Sequence, residues 1–114
     1  MEKATIKRGE SFYRGARPNT LTSGDPIGAG WECKAGLYNA DFTEVIASFD
    51  VSDKATVSGE EYFIPGLTRS QTKDVAPGLY IFAIDIFNES VSPEFSQESH
   101  IQLEITGQAI PTST

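Results

Sequence analysis

At 114 residues the chain fits one domain and is long enough to bury a single core without disulfide staples. Sixteen acidic residues against nine basic ones leave a formal charge of −7, and the cations are scattered, which argues against nucleic acid as a partner because phosphate binding needs clustered Lys and Arg. A single cysteine excludes an internal disulfide, no apolar run approaches membrane-spanning length, and Met1-Glu2-Lys3-Ala4-Thr5 lacks the apolar core of a signal peptide, so the expectation is a protein made and folded in a cytoplasm with no membrane partner.

In chain order, residues 4–9 alternate weakly through Ile6, and Phe12 and Tyr13 begin a second extended stretch after a kink at Gly9. The one basic cluster, Lys3, Lys7 and Arg8 followed by Arg14 and Arg17, reads as a solvated strand edge. Residues 17–30 are rich in turn formers and predict a long loop with Leu21 and Ile27 tucked inward. Trp31, Cys33, Ala35 and Leu37 then share one face of a half-buried strand. After a turn at Asn39-Ala40-Asp41, Val45, Ala47, Phe49 and Val51 repeat the alternation, and the two strands predict a hairpin. Tyr62-Phe63-Ile64 resumes extended chain up to Pro65, and residues 67–74 fit a short strand or one turn of helix.

The strongest apolar run follows the Pro77-Gly78 turn signal and predicts the central strand. One set of its side chains, Tyr80, Phe82, Ile84 and Ile86, is wholly apolar or aromatic and is expected to face the core; the other, Leu79, Ile81, Ala83, Asp85 and Phe87, is only partly apolar. Asn88 to Glu98 predict a connecting loop anchored by Phe95, and Ile101, Leu103 and Ile105 a last strand paired with the central one. About seven strands without a convincing helix, with turn signals every ten residues or so, predict an all-β fold: an antiparallel, immunoglobulin-like β-sandwich over residues 1–106 with a mobile tail at 107–114. In that frame Tyr80 is placed to bond back across the corner before its strand, and Trp31 to be the tryptophan of an earlier core strand.

Four segments carry a family likeness: Arg8-Gly9-Glu10-Ser11-Phe12, Gly24-Asp25-Pro26-Ile27, Leu67-Thr68-x-x-Gln71-Thr72, and Pro77-Gly78-x-Tyr80-x-Phe82-x-Ile84-Asp85-Ile86. Together they resemble the small β-sandwich structural proteins of tailed bacteriophages, of the type found at the N-terminus of upper-baseplate and tail proteins. The likeness spans most of residues 6–106; Glu10 stands where the family usually has Asp, Gly28-Ala29 where it has Asp-Leu, and Asp85 falls later in its strand. The resemblance implies a virion component of tail, baseplate or neck that docks on other virion proteins, as a homo-oligomer in the particle, with no active site. A capsid decoration or fibre-attachment protein is the alternative.

No catalytic, cofactor-binding or metal-binding set is expected, and no cofactor. The single histidine, His100, falls on the outward set of the last strand, and Asp50, Asp53, Glu60 and Glu61 lack the spacing of a calcium loop. Cys33 has no second cysteine or nearby histidine to make it a nucleophile. The residues expected to form an interface are Leu79, Ile81 and Phe87 on the second face of the central strand and Ile110 in the tail. A carbohydrate-binding adhesion module would instead use Tyr13 and Tyr38 as stacking faces.

Overall fold

The computed structural model describes residues 2–91 and 94–108. Among the described residues, nine strands and one short helix follow in the order β1 (Glu2–Arg8), β2 (Phe12–Tyr13), β3 (Trp31–Asn39), β4 (Val45–Val51), β5 (Lys54–Val57), β6 (Glu60–Phe63), β7 (Gly66–Leu67), α1 (Arg69–Thr72), β8 (Gly78–Asn88) and β9 (Phe95–Gln108). The fold is all-β, and five of these strands form one sheet in the order β1-β9-β8-β3-β4. Fourteen residues of β9, at about 3.4 Å each, account for most of the molecule's 52 Å length.

Alternation decides what this sheet buries. Cys33 lies opposite Ile86, Ala35 opposite Ile84 and Leu37 opposite Phe82 on β3 and β8; across β9, Phe82 faces Ile101 and Tyr80 faces Leu103. All but Tyr80, which is partly buried and packs against it, belong to one core cluster, with Phe82 and Leu103 fully buried. Each buried Leu, Ile or Phe of this set contributes roughly 1.5–3 kcal/mol by leaving water.

The second layer is built from short pieces. β2 pairs with β7 and β5 with β6, and a bridge between Ala16 and Phe63 joins the two ribbons. Residues 12–16 therefore run antiparallel to residues 63–67, with Arg14 N–H donating to the Pro65 carbonyl at 2.9 Å between the paired positions. Phe12, Phe63 and Leu67 point from this layer into the core, where the Phe12 ring meets Phe82 edge-on at 5.5 Å. The layers thus close as a sandwich with one complete sheet and one fragmentary one. The order β9-β8-β3-β4 matches the arrangement of variable-type immunoglobulin domains, and the Tyr80 hydroxyl donates to the Ala76 carbonyl as in a tyrosine corner. Trp31 packs edge-on against Phe95 at 5.1 Å and closes one end of the core.

The structure corrects several expectations. β1 pairs with β9 in parallel, so the sheet is mixed rather than wholly antiparallel; no turn joins these strands, and only a short turn would have forced the antiparallel sense. Two of the nine strands have only two residues each, too short to show a period. Residues 67–74 do hold a turn of helix, one of the two forms expected there, as α1 after β7. It begins with a capping box: Gln71 N–H donates to the Thr68 hydroxyl while the Gln71 side chain accepts from Thr68 N–H. β4 carries a bulge, because Leu37 pairs with Ala47 but Tyr38 with Val45. Ile46 is left without a partner, and Val45, expected inward, is 52 % exposed. Finally β9 continues through Gly107 and Gln108, beyond the expected boundary at residue 106.

Candidate docking surface

The outer face of the five-stranded sheet bears the side chains that alternate with the core set. Three rows cross it. Asp50, Lys34, Asp85 and Glu98 stand side by side on β4, β3, β8 and β9; the next row is Ser48, Gly36, Ala83 and His100; the third brings Tyr38, Ile81, Gln102 and Lys3 together. Lys34 sits between two carboxylates, Asp50 and Asp85, and reaches Asp50 at 3.9 Å, a pair so exposed that it adds little stability. Small residues at Gly36, Ala83 and Ser48 leave an open depression of about 520 Å³ between the charged row and Tyr38. A Cβ at Gly36 would come within 2.9 Å of the Ala47 carbonyl and 3.1 Å of the Tyr38 ring, so the tight packing of backbone and ring requires glycine there.

An aromatic stack lies beside this depression. Phe42, in the β3–β4 turn, adopts a left-handed backbone (φ 59°). That conformation returns its ring over the sheet, 4.4 Å from Tyr38 on β3 and 4.7 Å from His100 on β9. Strands lie about 4.8 Å apart, so a ring touching both neighbours must span the strand between them, which is β8. The turn is held by Asn39, whose Oδ1 accepts from the N–H groups of Thr43 at 2.8 Å and Glu44 at 3.1 Å. His100 in turn lies 2.7 Å from Glu98.

The residues expected to form an interface separate accordingly. Leu79 is half exposed and Phe87 half-buried, but Ile81 is only 8 % exposed, so it belongs to the sheet and offers no docking surface. Beside it, Tyr38 and Phe42 form a cover that its position in the sequence did not reveal. Ile110 lies outside the described residues. Of the two expected sugar platforms, Tyr38 is occupied by Phe42, while Tyr13 is half exposed with its ring lying over Gly66, opposite it in β7. Apolar exposure that the alternation did not signal falls at Phe42 in the β3–β4 turn and at Val45 at the start of β4.

Carboxylates near the β5–β6 hairpin are tied to the long loop. Glu60 accepts from the Ser23 hydroxyl at 2.9 Å and the Tyr62 hydroxyl at 3.0 Å, which hold its carboxyl below the usual range and push the Tyr62 phenol above its own. Glu61 accepts from Ile27 N–H at 2.8 Å, and its carbonyl accepts from Arg17 at 2.9 Å. Gln97 on β9 completes the anchoring by accepting from Asn19 N–H and donating to the Arg17 carbonyl. Cys33 is buried, and desolvation, with a smaller effect of the Asp85 charge, pushes its thiol up to about 12, leaving it protonated and unreactive at neutral pH.

Compared with known proteins, the chain matches no protein-family model and no curated protein.

Proposed function

We propose that this chain is a structural component of a tailed-bacteriophage particle, of the tail, baseplate or neck, that acts by docking on other virion proteins and on further copies of itself. The role is non-enzymatic and takes place in the virion after synthesis in the host cytoplasm. It calls for neither nucleic acid nor membrane.

The observation that supports this reading is the convergence of resemblance-bearing segments at one place. The Glu10 carbonyl of the first segment accepts from the Thr72 hydroxyl of the third at 2.7 Å; Phe12 pairs with Leu67; and the Phe12 ring meets Phe82 of the fourth. Gly9 turns the chain with φ 89°, and Ile27 of the second segment is buried in the same cluster. The motifs thus form the joint between the two layers, which makes their joint appearance harder to obtain by chance than four separate turns. A fibre-attachment or capsid-decoration protein would use the same chemistry elsewhere on the particle.

Mass spectrometry of purified particles produced by a host expressing the full gene set tests the reading. The protein is expected in the particle at a fixed ratio to the other tail components. Its absence from intact particles, with the protein abundant in the lysate, would overturn it.

A further inference from the structure

The two edges of the five-stranded sheet are chemically opposite. β1 is one edge and β4 the other, and among the described residues no strand pairs with the outer side of either. The seven residues of β1 hold Lys3, Lys7 and Arg8 against Glu2. Over residues 41–53, which contain β4 and its flanks, Asp41, Glu44, Asp50 and Asp53 occur with no Lys or Arg. Lysines on an edge guard it against pairing with a like edge, and β4 carries no such guard.

From these edges we infer that copies of this chain join head to tail, β4 of one copy pairing with β1 of the next to extend a single sheet from subunit to subunit. The inference deepens the assembly role proposed above and rests on it for its setting, while the strand geometry stands on its own. Both strands have seven residues. Following the pairings from β1 through β9, β8 and β3 to β4, β1 and β4 of one chain run in opposite directions. A neighbour related without inversion of its strands therefore presents β1 antiparallel to β4, the sense with the better-aligned hydrogen bonds.

Side chains match as well as charges. Kept in the same facial orientation, the neighbour brings Lys3 and Lys7 to the outer side with Asp50, and Ala4 and Ile6 to the core side with Phe49 and Val51. All four of those apolar residues pack against or within their own cores, and Ala4, Ile6 and Phe49 are only partly covered. Along the β4 edge runs an open groove of about 290 Å³ whose lining is mixed, apolar at Tyr13, Phe49, Val51 and Ile64 and polar or acidic at Asp50 and Asp53, with room for a side chain from a new strand. The contact is heterologous, so repetition gives a ring where the rotation closes and an open filament where it does not.

Light scattering on the full chain over a range of concentration and salt tests the inference. The wild type is expected to grow in steps of one subunit at low salt, with its apparent dissociation constant rising about tenfold or more as salt screens the opposed edges. Lys3→Glu with Lys7→Glu disables β1 and leaves β4 intact; Glu44→Lys with Asp50→Lys does the reverse. All four side chains are exposed, and circular dichroism checks that both variants keep the wild-type strand signal. Each variant alone should stay monomeric, while a mixture of the two should assemble again, because both of its junctions, one with the wild-type charges and one with them exchanged, set opposite charges against each other. A monomeric wild type at low salt, a dimer formed by either variant alone, or a mixture that stays monomeric would each overturn the inference. Absence of the protein from particles would overturn the proposed function and leave this result untouched.

Discussion

The two layers of the sandwich hold together by different means. The five-stranded sheet is long, regular and apolar on one face, with β8 and β9 paired over eleven consecutive residues from Gly78 to Asn88. The opposite layer has ribbons of two and four residues and a long loop, held by side chains that reach backbone groups far away in sequence: Thr72 to Glu10, Arg17 to Glu61, Gln97 to Asn19. Stability in the first is spread over many equivalent contacts, whereas in the second it is concentrated at a few positions that no neighbour can replace.

Deleting the centre of the sheet should have the largest effect. Phe82→Ala removes a fully buried ring that also contacts Phe12, and a loss of about 3–5 kcal/mol in a denaturant titration is expected. A much smaller loss would mean that the sheet does not dominate. Alkaline pH probes the same layer through Cys33. Its thiol is raised from 9.0 to about 12, so the folded chain keeps a proton that the unfolded chain releases. The stabilisation is therefore fully present below pH 9 and lost as pH rises toward 12, with a slope of up to about 1.4 kcal/mol per pH unit. Thermal melts across this range should show a steeper decline for the wild type than for Cys33→Ala, which cancels the titration of the other groups.

Gly66→Val tests the second layer where it is tightest. A Cβ at this position runs into the Tyr13 ring and the Phe12 carbonyl, and a loss of about 1–3 kcal/mol is expected. Adding Tyr13→Ala should restore only part of it, because the backbone obstacle stays. The smallest effect belongs to Thr72→Val, which keeps the buried shape but removes the hydroxyl that Glu10 accepts; about 1 kcal/mol should be lost, with protease cleavage near Glu10 appearing before global unfolding.

The same division governs what the residues disclose in advance. Alternation along β3, β8 and β9 is legible because a long strand with one buried face repeats every second residue, and the tyrosine corner is legible because it is local. β2 and β7 are not, since two residues contain no period, and their pairing across more than fifty positions leaves no sequence mark. The sense of β1 is hidden for a related reason: alternation places Ala4 and Ile6 inward in either direction. On the outer face, alternation alone leaves Ile81 at the surface, whereas its burial depends on the rings beside it, and Phe42 reaches them only through a backbone conformation unusual for a bulky residue.

Parallel pairing of β1 with β9 has a consequence for biosynthesis. Glu2 finds its neighbour at Ile101, so the strand that leaves the ribosome early waits for almost a hundred further residues before it has a place to go. During that interval the nascent chain offers β8 with one flank open, a slot that any extended peptide could enter. Fusing a stall sequence after residue 94 should therefore yield a species that binds β9 supplied as a separate peptide, whereas extension through residue 108 should close the slot.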